Sequence, residues 1–360
     1  TGRFKMKIDV GMVMLGMVVS LLSAGAYAAY SGGSGTVGDP YQIGTVPDWV
    51  TLADESGDWD KQFILMNDLD FDGTDVKPIG TSSLPFTGFF NGDGHAMRNV
   101  LINVPALNSI GLFGCLGTGG EIRGLGVEAV SVTGDSFVGG LAGCIDGGTV
   151  TLCYATGAVV GDWFVGGLVG QNKSGTVTLC YATCSVAGNG DIGGLVGRID
   201  SGTCTFCYAA GAVSGSEYVG GFAGYNYNGT VSSCYWDMGV SGQTTSNGGA
   251  GRTTAEMTYP YAAGTYEGWN FATVWAEDVD GNLNGGYPCL RDNVPSLPHP
   301  ADMNRDFRVV MGEAIGYLTG WQQGGNPMAY AIRAAYLWQN GEQYAYDPGE
   351  TPPICWVLAP

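Results

Sequence analysis

Apolar and polar positions in residues 130–236 recur with a step of 27 residues and no insertions. One apolar column holds Val132, Val159, Val186 and Val213, and a second holds Leu141, Leu168, Leu195 and Phe222. Around the second column the chain repeats Val-Gly-Gly-Leu-x-Gly from Val138, Val165, Ile192 and Val219, with Ile or Phe at two of the apolar places. Cys-Tyr follows at Cys153, Cys180, Cys207 and Cys234, and Thr151, Thr178, Thr205 and Ser232 form a hydroxyl column. A fixed period means that each unit meets the same neighbours above and below, as in a stacked solenoid. Short strand-forming runs between Gly-rich corners predict three strands per turn, each pairing in parallel with its copy one rung away, in a right-handed coil. The alternation leaves one point open. Val150 and Cys153 can both face inward only if the strand bends between them, so either Cys or Tyr could be the buried partner.

The flanks depart from this period. Residues 1–28 read as an export signal: Arg3, Lys5 and Lys7 precede an apolar stretch over 10–22, and Ala26-Tyr27-Ala28 fits a small-x-small cleavage pattern. The competing reading is a membrane anchor, for which the apolar run is short. Met6 is the expected start. Residues 29–75 are expected to form an N-terminal cap, with Thr45 and Asp48 starting a short helix from Pro47 to about Asp54 over the open end. Repeats of the solenoid are placed at 76–237, the first of them irregular. A closing region follows at 238–293, in which 241–254 reads as a polar loop and Trp269, Phe271, Trp275, Tyr287 and Leu290 are expected to seal the far end. A Pro-rich linker at 294–300 leads to a helical module at 301–345 and a tail at 346–360. Within the module, helices are predicted over 309–321 and, from Asn326-Pro327, to about 341. The fold class is therefore all-β, a right-handed parallel β-helix with 27-residue rungs, followed by a small α-helical C-terminal module.

The formal charge is -19, and only 13% of residues are charged while 63 of 360 are Gly. Such a surface repels phosphate backbones and anionic lipid, which argues against nucleic-acid binding and against membrane insertion of the mature chain. Ten cysteines in an exported chain raise the question of disulfides. In-register residues on successive rungs lie about 4.8 Å apart, which suits disulfide geometry poorly, so the Cys-Tyr column is expected to be a stack of reduced thiols. Cys184 and Cys204 stand outside the column as possible exceptions. Cys115, Cys144, Cys289 and Cys355 have no evident mates.

The repeat resembles the GLUG-motif family, bacterial surface and secreted proteins whose units read VGGLVG and CYATG. Val165 to Gly170 and Cys153 to Gly157 match those words directly, and the resemblance covers about 80–236, with flanks at 86–95 and 285–288. It implies a β-solenoid in an adhesin-like, secreted or cell-surface protein, without one defining reaction. Some members are joined to a metallopeptidase. This chain has only His95 and His299 and no His-Glu-x-x-His, so that activity is not carried over.

The best-formed constellation for chemistry is Asp302, Asn304 and Asp306 with Glu313 at the twelfth place and the backbone carbonyl of Arg308 at the seventh. Oxygen donors at that spacing suit Ca²⁺, although position 6 is Phe307 rather than Gly, and an acidic helix start is the alternative. A calcium loop running into a helix resembles a dockerin module, which implies a cohesin-like partner. The second half, residues 323–330, has no second such loop. Asp278 to Asn284 also spaces oxygen donors by two and reads as a polar turn. Asp135, Asp162 and Asn189 read as a solvated corner. Phe137, Phe164 and Tyr218, interrupted by Asp191, could form a stripe that stacks on carbohydrate. The charged residues among the repeats are scattered over different corners, which favours a non-catalytic adhesin-like or structural protein. The alternative is a carbohydrate-active β-helix enzyme, a polysaccharide lyase or hydrolase.

Overall fold

The computed structural model describes residues 30–279, 281–291, 344–346 and 356–358. The predicted signal, the linker and both predicted helices of the C-terminal module lie outside them. Across residues 41–252 the backbone is a parallel β-solenoid. Its longest ladders are an eight-stranded sheet from Tyr41–Ile43 to Thr230–Ser232 and an eleven-stranded sheet, and sheets of five and four strands complete the wall. The first regular rung carries four short strands, not three, and each of the next two carries five, the tyrosine run being split there. In the first they are Ser136–Gly139, Ala142–Asp146, Thr149–Thr151 and Tyr154–Val160. The extra strand arises because the Gly-Gly corner splits one extended run into two.

Glycine at that corner is required by close approach. A Cβ on Gly166 would lie 2.1 Å from the Val169 carbonyl oxygen, and one on Gly167 would lie 2.3 Å from the Gly194 carbonyl oxygen of the next rung. The residue before each Val-Gly-Gly (Ile192-Gly193-Gly194 in the third repeat) is Phe137, Phe164, Asp191 or Tyr218. All four have left-handed backbone, with φ between 50° and 58°. The chain turns there.

A second left-handed residue settles the Cys-Tyr ambiguity. Leu152, Leu179, Phe206 and Ser233 have φ of 51–55°, and each supplies the bend between the threonine strand and the tyrosine strand. Val150 and Cys153 therefore both enter the core, and both are fully buried. Tyr154, Tyr181, Tyr208 and Tyr235 point outward yet are at most 6% exposed, because another segment covers them. The cysteines at 153, 180, 207 and 234 are unbridged, and each thiol donates to carbonyl oxygens such as Thr178 O at 3.1 Å from Cys180. Burial pushes the Cys180 and Cys207 thiols well above their ordinary range, so these two are neutral. Cys184 and Cys204 are likewise unbridged. Cys115 and Cys144, which have no evident mates in the repeat pattern, are different. They face each other in register on adjacent rungs, 4.7 Å apart at Cα, and form a disulfide.

The N-terminal end is closed as the sequence predicts. Helix Val46–Asp54 starts with a capping box between Thr45 and Asp48. Its Trp49 enters the core edge-on to Phe90 and Phe113, with ring centroids 5.7 Å away in each case. The far end is closed differently. The polar loop crosses the last rung: the Ser246 hydroxyl accepts from the amides of Phe222 and Ala223, and Ala250–Arg252 pairs in parallel with Tyr235–Asp237. The aromatic set expected there runs back along the flank instead. Trp275 is fully buried and Trp269 nearly so, and both pack on the tyrosine column with Tyr266 and Tyr287. Outward rings stacked at 4.9 Å leave a long apolar stripe in need of cover, whereas a last rung with free amides needs hydrogen-bond acceptors. Each segment went where its chemistry is satisfied. Two locks hold the flanking strap: the Tyr208 hydroxyl donates to Pro288 O at 2.8 Å, and the Tyr287 hydroxyl donates to buried Asp237 at 2.6 Å.

Tyr344–Tyr346 pairs antiparallel with Trp356–Leu358, a ladder that crosses the boundary placed at 345 between module and tail.

Substitution of Gly167 by Val places side-chain atoms against the backbone of the neighbouring rung. It is expected to cost roughly 4 kcal/mol or more, by the steric mechanisms that produce the largest single-site losses. Chemical denaturation of the full chain reads this, and a loss under about 1 kcal/mol would contradict the close-contact account of the corner.

Candidate functional site

The wall offers three places where side chains converge. The first lies at the N-terminal end of the tyrosine sheet, where strand register brings charged residues together. Arg98 bridges Asp68 at 2.9 Å and Glu128 at 2.6 Å, His95 meets Asp68 at 3.3 Å, and the Tyr154 hydroxyl donates to Glu128. Burial would raise the Asp68 carboxyl, but hydrogen bonds from His95 and the Ala96 amide, together with the Arg98 charge, hold it below its ordinary range. Asp68 thus stays ionised, and both carboxylates are engaged by Arg98. That is the arrangement of a structural staple between rungs rather than of a poised acid and base.

The second place is the Gly-Gly corner, where the aromatic stripe was expected. Phe137 and Phe164 do stack, with centroids 4.7 Å apart. Asp191 does not simply interrupt them. It is buried and pairs with Arg198 at 3.3 Å, and Arg198 also holds Asp200 at 2.9 Å while Gln171 donates to the same carboxylate. The guanidinium lies over the rings of Phe164 and Tyr225, 5.4 and 4.9 Å from their centroids. Arginine thus takes the place of the missing ring. Burial pushes the Asp191 carboxyl above its ordinary range, with Arg198 opposing the shift. At the neighbouring solvated corner Asn189 donates to Asp162.

The third place is the outer face of the eight-stranded sheet. Two side-chain columns two residues apart run along it. One holds Phe89, Glu121, Thr149, Thr176, Thr203 and Thr230, and the other holds Asn91, Arg123, Thr151, Thr178, Thr205 and Ser232. The hydroxyls of Thr178 and Thr205 are 2.8 Å apart. At the irregular end the face opens into a hollow of about 460 Å³ lined by Phe89, Asn91, Asp93, Gly94, Arg123, Gly124 and Leu152.

Of the residues singled out from sequence, the loop of Asp302, Asn304, Asp306, Arg308 and Glu313 lies outside the described residues. Asp278 is a turn-former: its buried carboxylate accepts from the amides of Leu283, Asn284 and Gly286. The column of Thr149, Thr176, Thr203 and Thr230 obeys the same period as its neighbour and was legible from it. Phe89 and Arg123 were not, because the irregular rungs break the step that would align them with the threonines.

Residues 215–238 match the family model of the GLUG motif, and they span the last regular rung from its glycine corner to its Cys-Tyr pair. That rung carries a GLUG motif. A stretch of 137 residues, 35% of the chain, is 33% identical to halomucin of Haloquadratum walsbyi and spans 2% of that protein. Another of 125 residues, 32% of the chain, is 31% identical to a protein of Evansella cellulosilytica provisionally named a Gly-rich membrane protein, and spans 14% of it. The chain thus matches only a small part of either relative. Among solved structures it resembles a Bacteroides ovatus protein provisionally named an immunoglobulin A1 protease, with a TM-score of 0.58 and 21% identity over 73% of this chain and 96% of that one. At that identity the likeness speaks for the solenoid fold alone.

Arg198→Ala removes the partner that offsets burial of Asp191. An acid whose folded pKa is raised is stabilising in its protonated form, so stability is lost as pH rises through that value. The variant is expected to lose roughly 3 kcal/mol at pH 7 and much less at pH 4. Melting at the two pH values measures this, and equal losses would show that Arg198 acts only through packing.

Proposed function

We propose that the chain is a non-catalytic surface or secreted GLUG-repeat protein with an adhesin-like binding or structural role, attached to a cohesin-like partner or cell-surface component through a calcium-loaded module at 301–345. The observation that carries this reading is the use made of ionisable groups on the solenoid wall. Asp68, Glu128, Asp146, Asp191 and Asp200 are each engaged by a basic side chain, and most of these pairs tie one rung to another. Glycoside cleavage requires two carboxyl groups facing one cleft with different proton affinities. Asp68, Glu128 and Asp146 serve as inter-rung staples instead. The names of the halomucin and Gly-rich membrane relatives, and the signal-like segment at 1–28, support a place at or outside the cell surface. Among the described residues no helix is long and apolar enough to cross a membrane.

Catalysis is tested by incubating the purified full chain with a polysaccharide panel and assaying reducing ends and unsaturated products. No release is expected. Turnover that disappears in Glu128→Gln or Asp68→Asn would establish the enzyme reading in its place.

Calcium is tested on the same full chain. Ca²⁺ titration is expected to show one site whose heat vanishes in Asp302→Ala, since removing a carboxylate from a hard-cation shell removes both charge and a ligand. Identical titrations of the two proteins would remove calcium from the account.

A further inference from the structure

The hollow at the start of the eight-stranded sheet has the parts of a ligand site that the solenoid does not need for its own stability. Arg98, Arg198, Arg252 and Arg291 each engage a carboxylate or a backbone carbonyl. Arg123 is exposed and, among the described residues, makes no ion pair or hydrogen bond through its guanidinium. It lines the hollow together with Asp93, with which it forms no ion pair. Asp93 is exposed as well, held at a left-handed turn, φ 51°, by its amide bonding to the Asn91 side chain at 3.1 Å. Phe89 contributes a half-buried ring from the outward side of its strand, while its neighbour Phe90 fills the core.

We infer that this hollow binds a neutral hexose unit of a polysaccharide, an assignment that rests on the binding role proposed above and deepens it. An aromatic ring gives an apolar platform for the C–H face of a sugar. A guanidinium donates and a carboxylate accepts, so Arg123 and Asp93 together match vicinal hydroxyls, each of which does both. About 460 Å³ is within the size range of small-ligand pockets. Charge selects within the class. With Asp93 in the site and -19 on the chain, a uronate or sulfated chain would be repelled from the hollow. Phe89, Asn91 and Arg123 stand in the same two columns that become Thr149 and Thr151 one or two rungs on, so a longer neutral glycan leaving the hollow continues over hydroxyl groups. The uncharged threonine face is thereby part of the same surface.

The test is titration of the full chain with neutral hexo-oligosaccharides of gluco-, manno- and galacto- configuration, α- and β-linked, and with polygalacturonate as the anionic comparator. Millimolar or tighter binding to at least one neutral series is expected. It should weaken about tenfold in Phe89→Ala and about tenfold in Arg123→Gln, and remain unchanged in Trp163→Ala, an exposed aromatic on another face. Arg123→Gln leaves no core gap, so it reads the site even if Phe89→Ala fails to fold. No binding to any neutral series, binding indifferent to Arg123→Gln, or binding confined to polygalacturonate would each overturn the assignment. None of these results touches the non-catalytic reading, which falls only if products are released.

Discussion

The parallel backbone ladder between successive rungs is the constraint on which the rest of this molecule depends, and it can form only where the corners carry no side-chain bulk. At Gly166 and Gly167 the backbone of one rung lies where a Cβ would have to be. Each rung is held by its neighbours and has little to hold it alone, so apolar columns must align vertically or the core does not close. The 27-residue period is therefore a mechanical requirement, and the Val-Gly-Gly-Leu-x-Gly signature is its local expression.

Stacking identical residues also multiplies whatever they bring. The cysteine column brings four small, unbridged thiols, and burial keeps those of Cys180, Cys207 and Cys234 protonated. The tyrosine column brings large rings that stack at 4.9 Å but remain half apolar and outward-facing. Covering them requires a second layer, and residues 253–291 supply it. Acidic residues are the hardest to stack because like charges one rung apart repel. The chain answers by alternating sign between rungs, as Asp146 does with Lys173, and Arg98 with Asp68 and Glu128. Where Asp191 replaces a ring, Arg198 brings both countercharge and a planar face. Regularity in the backbone thus leaves chemistry to the places where regularity fails.

The hollow beside Phe89 is such a place. The first rungs have steps of 32 and 28 residues between in-register positions instead of 27, as from Phe89 to Glu121 and on to Thr149. A longer loop at one corner leaves Asp93 and Gly94 standing beside the strand face and opens space against Arg123. The regular rungs present only hydroxyls there. The recognition site proposed at the irregular end, with a uniform hydroxyl surface leading away from it, is the arrangement expected of a protein that holds an extended partner.

Period, parallel pairing, the glycine corners, the capping helix and the reduced cysteine stack were all decided by the sequence, because each depends on neighbours at a fixed separation along the chain. The same logic makes one threonine column imply the other. The sequence could not decide that Tyr would be buried along with Cys, since that required both the left-handed bend at Leu152 and a strap arriving from residues 253–291. Nor could it pair Cys115 with Cys144 or set Arg123 beside Phe89, since those partners meet across irregular rungs at separations of 29 and 34 residues. Local chemistry and a fixed step dictate how each rung is built. Which surfaces are then covered, bridged or left open is fixed only when segments without that step find the places that satisfy their aromatic rings and free amides.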